Sequence, residues 1–227
     1  MFAVEVVMKA RVLLIVTLTI CLAGQVSAQS SHHHHGSGGD QGQSGTPGQF
    51  DYYLLTLSWA PEFCHSHNDS PECSGHHFGF VVHGLWPQFT SGGWPQDCST
   101  AAGLADPSRI TDIMPDPSLV AHEWTKHGTC SGLDADGYFA LVRKAFESVH
   151  LPAKFSAPAQ SFMLTPGEVK DAFVQANSQI TADDMTVSCG NNYLTAVSVC
   201  MGKDLQPVTC RNLKDCRANK IKVPPVE

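Results

Sequence analysis

Positive charge is scarce in this chain. Its 227 residues carry 14 Lys and Arg against 21 Asp and Glu, a formal net charge of −7. That balance argues against broad electrostatic attachment to a polyanion, although cations gathered in one cleft would still serve an enzyme that acts on one. A long hydrophobic run is missing too. The apolar stretch from Val12 to Gly24 falls short of the roughly 20 residues that a bilayer span needs. No C-x-x-C pair occurs, which weakens metal ligation by cysteine, and no G-x-S-x-G elbow is present to supply a nucleophilic serine. Internal repeats are absent as well.

What is present at the N-terminus reads as an export signal. Lys9 and Arg11 precede the apolar stretch, and Val26-Ser27-Ala28 places small residues where signal peptidase cuts, so residues 1–28 are predicted to be removed after Ala28. Cys21 follows Ile20, without the small residue that a lipoprotein signal needs before its cysteine. A soluble chain with no membrane anchor after cleavage is expected, secreted or periplasmic, and monomeric. Removing 28 of 227 residues leaves 199, enough for one domain with a sizeable core. Cys64, Cys73, Cys98, Cys130, Cys189, Cys200, Cys210 and Cys216 then remain. An even number of cysteines in an exported chain predicts disulfides, but eight allow about 105 pairings and spacing does not choose among them.

Residues 29–49 are rich in Gly, Ser and Gln and include His32-His33-His34-His35. Such a composition buries too little apolar surface to fold and predicts a disordered linker, with no role for the His run. A single folded domain is expected over 50–227. Strands are predicted at Tyr53 to Trp59, ended by Pro61, and at Phe78 to His83, stopped by Gly84. Loops are expected at 64–77 and 90–107. Helices are predicted at Leu119 to Lys126, with Asp116 and Ser118 as candidate caps, at Asp136 to Val149, and from the Thr165-to-Glu168 capping box to about Asn177. Met185 to Cys189, Tyr193 to Met201 and Gln206 to Cys210 read as closing strands. Strands, then helices, then strands make an α+β domain.

Two stretches concentrate the titratable groups: Phe80-Val81-Val82-His83-Gly84-Leu85-Trp86-Pro87 and His122-Glu123-Trp124-Thr125-Lys126-His127-Gly128-Thr129-Cys130. As a helix, the second puts His122 and Lys126 on one edge and Glu123 and His127 on the next, within an arc of about 140° facing one cleft. A zinc protease wants its histidines four apart on one edge; His122 and His127 are five apart, which disfavours that reading. RNA cleavage suits the set better. A base must take the proton of the ribose 2′-hydroxyl as it attacks phosphorus, an acid must protonate the departing 5′-oxygen, and a cation must steady the added negative charge.

These two stretches, in this order and separation, together with L-x-L-x-W-x-P-x-x-C from Leu55 to Cys64, closely resemble the active-site segments of the ribonuclease T2 family. The resemblance runs from about Phe50 to Cys216. It implies a disulfide-stabilised α+β fold with a central antiparallel sheet packed against helices. The activity it implies is an endoribonuclease needing no metal or other cofactor, acting on single-stranded RNA through a 2′,3′-cyclic phosphate to 3′-phosphate ends. By the same resemblance, His127 is the general base and His83 the general acid. His122 binds the phosphate, while Glu123 and Lys126 polarise it. Trp86, Gln88 and Trp94 fall where relatives hold the base, and Ser58 falls where plant members often carry a base-contacting glutamine, so broad base specificity is expected. The implied disulfides are Cys64–Cys73 and Cys98–Cys130, with nested Cys189–Cys216 and Cys200–Cys210 favoured for the last four. The competing function is a catalytically silent RNA-binding or inhibitory module; such a chain would be expected to lack one of the catalytic histidines, and this one keeps His83 and His127. His65, His67, His76, His77 and His150 are read as surface or loop residues.

Overall fold

The computed structural model describes residues 42–74 and 78–226, so the expected export signal and the His32–His35 run lie outside the described residues, as do His76 and His77. The strands are Gly42–Ser44 (β1), Tyr52–Trp59 (β2), Phe80–Gln88 (β3), Trp94–Gln96 (β4), Phe162–Leu164 (β5), Met185–Gly190 (β6), Tyr193–Met201 (β7) and Ile221–Val223 (β8). The helices are Ala60–Cys64 (α1), Pro117–Lys126 (α2), Ala135–Glu147 (α3) and Pro166–Ala176 (α4).

Six strands form the central sheet, in the order β3-β2-β7-β8-β5, with β6 also paired to β7. All its pairings are antiparallel except a single parallel contact between β7 and β8, at Tyr193 and Lys222. β2 lies between β3 and β7, and every residue of it except Ser58 is buried, which explains its nearly continuous apolar run. Leu55, Leu57 and Trp59 share one core with Tyr138, Val142 and Ala145 of α3 and Val169 and Phe173 of α4. Tyr52, Leu54 and Cys200 form a second, smaller cluster, against which Trp86 packs. The β6–β7 hairpin turns on Asn191 and Asn192, both at positive φ (49° and 64°), the backbone that a two-residue hairpin loop demands and Asn tolerates.

Capping chemistry sets the helix starts. Asp116 caps α2 by accepting from the backbone N–H of Ser118 at 2.7 Å, with Pro117 in the first turn. Thr165 and Glu168 form the reciprocal capping box at the head of α4. Four disulfides join Cys64 to Cys73, Cys98 to Cys130, Cys189 to Cys216 and Cys200 to Cys210. None of the helices among the described residues is long and apolar enough to cross a membrane.

Several elements differ from the sequence expectation. Ordered backbone begins before Phe50: β1 pairs with β4, and Gly48 N–H donates to the Cys130 carbonyl at 2.8 Å. Backbone pairing, which needs no apolar side chains, orders residues 42–49 within the stretch read as a disordered linker. Gly84 does not stop β3, which runs on to Gln88. Gln206 to Cys210 is not a strand but irregular backbone with one bridge, Met201 to Pro207, where a proline has no N–H to give to a ladder. The short strands β5, at an edge of the sheet, and β8, between β7 and β5, lie outside the sequence expectation.

Candidate active site

β3 is an edge strand of the sheet, and its pairing with β2 is interrupted at one point. Thr56 opposes Gly84 and Leu57 opposes Val82, so His83 is the extra residue of a β-bulge. A bulge bends its strand and re-aims the side chain it carries. In the His83 ring, Nδ1 lies 3.0 Å from Ser58 Oγ, and Nε2 lies 3.7 Å from Glu123 Oε1. Gly84, next along, is required by close approach, since a Cβ there would stand 2.2 Å from Trp86 Nε1 and 2.3 Å from Glu123 Oε2.

Trp86, from the first motif, touches the second. Its indole centroid is 5.3 Å from that of His83 and 5.3 Å from that of His127, and its N–H donates to Glu123 Oε2 at 2.6 Å. Glu123 is 1% exposed. Burial pushes its carboxyl up to about 8, against a smaller opposing effect of the Trp86 hydrogen bond.

α2 ends at Lys126. His127 has left the helical conformation (φ −122°, ψ −43°), although its N–H still donates to the Glu123 carbonyl at 3.0 Å. The four side chains expected on one helical arc therefore divide. Glu123 points inward, His122 is exposed, and Lys126 Nζ reaches Asp97 Oδ2 at 2.8 Å. His127 is turned into the protein, where its Nδ1 is buried without a hydrogen bond. Burial is the main reason its imidazole is held down to about 3; the positive charges of His122, His83 and Lys126 push the same way, and Asp97 opposes them.

The loop before α2 is fastened to the helix end. Asp97 N–H donates to the Lys126 carbonyl at 3.0 Å, Cys98 N–H to Thr129 Oγ1 at 3.2 Å, and Cys98 is bonded to Cys130. Gly128 lets the turn after His127 pack closely, since a Cβ there would meet the Trp124 ring at 2.5 Å.

His83, Trp86, Glu123 and His127 thus come together, with His122 and Lys126 close enough to act on His127 through their charge. Gln88 is buried at the end of β3 opposite Tyr52, and Trp94 begins β4 opposite Gly42. Sequence reasoning gave Asp97 no role and noted Ser58 only for base preference. A serine one residue before a strand tryptophan and an aspartate before a cysteine carry no signal of their own; only the fold puts them beside His83 and Lys126. Among the described residues, no group of three or more His, Cys, Asp or Glu is arranged to hold a metal ion.

Residues 50–210 match the model of the Ribonuclease T2 family. A curated protein named "Ribonuclease", from Aeromonas hydrophila, is 36% identical over 126 residues, 54% of this chain and 57% of that protein. "Ribonuclease DdI" of Dictyostelium discoideum is 27% identical over 195 residues, 76% of this chain and 83% of that one. The chain thus matches little more than half the length of the Aeromonas protein. Among solved structures, an RNase-related protein from Calystegia sepium superposes with a TM-score of 0.64 at 23% identity, over 78% of this chain and 98% of that chain, a likeness of fold.

Proposed function

Because the chain belongs to the ribonuclease T2 family, we propose that it is an exported endoribonuclease that cleaves single-stranded RNA without a metal ion. The reaction is transphosphorylation to a 2′,3′-cyclic phosphate, followed by slower hydrolysis to a 3′-phosphate. The observation that carries this reading is the gathering of two imidazoles, His83 and His127, each with its ring centroid 5.3 Å from that of Trp86, with a buried carboxyl 3.7 Å from one of them.

In this mechanism His127 takes the proton of the 2′-hydroxyl as that oxygen attacks phosphorus. The P–O5′ bond breaks, and His83 gives the departing oxygen its proton. Burial favours the neutral, proton-accepting form of His127 even in acid. The arriving phosphodiester anion offsets the cations that hold its basicity down, which strengthens the base once substrate is bound. Glu123 keeps its proton below about pH 8 and can donate it in a hydrogen bond to a phosphate oxygen. Trp86 occupies Oε2 of that carboxyl, leaving Oε1 to carry the proton. Lys126 and His122 bind the phosphate and stabilise the pentavalent transition state. Trp86 and Trp94 stack on bases and Gln88 contacts an edge; stacking tolerates any base, which gives low specificity. Four disulfides suit an oxidising compartment outside the cytosol.

The test is incubation of the purified protein with single-stranded RNA in excess EDTA, with mass spectrometry of the product ends. Cyclic 2′,3′-phosphates are expected. RNA left intact by protein with all four disulfides formed would overturn the catalytic reading in favour of a binding module.

A further inference from the structure

Resting on the assignment of Lys126 to the phosphate, we propose that Asp97 is the positioning residue of that lysine. Its carboxylate holds the Lys126 ammonium in place at the end of α2, ready to meet the phosphodiester as negative charge builds on it.

Asp97 stands where an aspartate does little for the fold. Its φ is 52°, in the left-handed region that strains any residue but glycine, although Asn and Asp bear it better than most. Its N–H donates at 3.0 Å to the carbonyl of Lys126, the last residue of α2. That sets an acidic side chain at the negative end of the helix dipole, where a basic one is favoured. The ion pair itself adds little to stability, because both side chains are more than a third exposed, 38% for Lys126 and 39% for Asp97. Backbone strain kept in place beside a reactive site, with the wrong charge for its helix, points to use rather than to folding.

The chain on either side fixes Asp97. Gln96, before it, pairs with Ser44 of β1. Cys98, after it, is bonded to Cys130 and donates its N–H to Thr129 Oγ1 at 3.2 Å. The carboxylate is thereby delivered to one spot, with Oδ2 2.8 Å from Lys126 Nζ. Lysine carries its charge on a flexible four-carbon stem, and an anchored carboxylate removes much of that freedom before substrate arrives. An ammonium has three N–H donors, so the one engaged by Asp97 leaves two for phosphate oxygens. Asp97 also acts on His127 through its charge, opposite in sign to Lys126, and so offsets part of the lysine's weakening of that base.

The experiment compares wild type, Asp97→Asn, Lys126→Ala and the double variant, all with disulfides formed. Asparagine tolerates the left-handed backbone and removes the charge, so circular dichroism and melting should match wild type. Asp97→Gly, at ease with positive φ, should behave as Asp97→Asn does. ¹H–¹⁵N spectra of the lysine ammonium groups without RNA report whether Lys126 is held, and kcat and KM are measured on RNA. Wild type is expected to show a slowly exchanging Lys126 ammonium that Asp97→Asn loses. Asp97→Asn is expected to lose about tenfold in kcat with no rise in KM, within the roughly 10²-fold that a misplacement of about 1 Å can cost. In the Lys126→Ala background the same substitution should slow the reaction no further. An unchanged kcat in Asp97→Asn overturns the proposal, as does an equal loss in the Lys126→Ala background. If wild type leaves RNA intact, the nuclease reading fails, and the ammonium spectra still decide whether Asp97 holds Lys126.

Discussion

Trp86 donates its indole N–H to Glu123 Oε2 at 2.6 Å, joining β3 to α2, the helix that carries His122, Glu123 and Lys126. Glu123 is otherwise an expensive residue to bury. The hydrogen bond offsets part of its desolvation and fixes which of its oxygens faces His83.

Trp86→Phe keeps the ring and removes the donor. The buried oxygen then loses its partner, a loss worth about 1–3 kcal/mol. Urea denaturation should show that decrease, and the Glu123 carboxyl, followed by ¹³C NMR, should titrate higher than in wild type. Wild-type values on both measures would show that the bond does little.

His83→Ala and His127→Ala should each slow formation of the cyclic phosphate by about 10²–10⁴-fold, the usual contribution of a general acid or base. Far-ultraviolet circular dichroism should stay unchanged in both. Either variant keeping more than a tenth of the wild-type rate would remove that histidine from its role.

Glu123 also gives stability a pH dependence of unusual sign. Its carboxyl is raised from 4.5 to about 8 in the folded protein. Between those values the folded chain holds a proton that the unfolded chain has released, so this residue favours folding at low pH and loses that contribution as pH rises toward 8. Glu72, raised to about 7 mainly by burial, acts the same way, while His127, lowered to about 3, works in the opposite direction below 6.5. Glu123→Gln isolates one of these effects. Its stability relative to wild type should grow steadily from pH 4.5 to 8, as measured by denaturant titration. A difference that stays flat across that range rules out the raised carboxyl.

Replacing Cys98 and Cys130 together by Ala should cost about 2–5 kcal/mol, as for other native bridges. The loop that carries Asp97 is then free to leave the end of α2. Activity should become sensitive to temperature well below the unfolding transition, read from rates and melting curves on one sample. Parallel loss of both would mean that the bridge serves the fold alone.

Much of this was legible from periodicity and motif. The one-faced pattern from Tyr138 to Val149 marked α3, and Thr165 with Glu168 announced α4. The clustering of His83, Glu123 and His127 was legible because their motifs are dense in titratable groups. Their separate fates were not. Helical spacing places Glu123 and His127 on one edge, but spacing does not reveal that the helix ends at Lys126 and that the Nδ1 of His127 is turned inward. Nor does a glycine in a strand pattern disclose whether it ends the strand or, as at Gly84, makes room for two side chains from elsewhere. β8, three residues long, is too short to show a period. Ser58 and Asp97 meet His83 and Lys126, neighbours distant in sequence, which no local pattern records.

The connectivity of the disulfides has a consequence for biosynthesis. If thiols paired in the order in which they entered an oxidising compartment, N-terminus first, Cys64 would meet Cys73 and Cys98 would meet Cys130, both native. The same rule would join Cys189 to Cys200 and Cys210 to Cys216, and neither pair is native. Pairing in order of arrival therefore completes the half of the molecule that carries the histidines and misassembles the other. Maturation of the C-terminal half has to wait for β7 to dock before its thiols close, or draw on a disulfide isomerase to undo the first attempt.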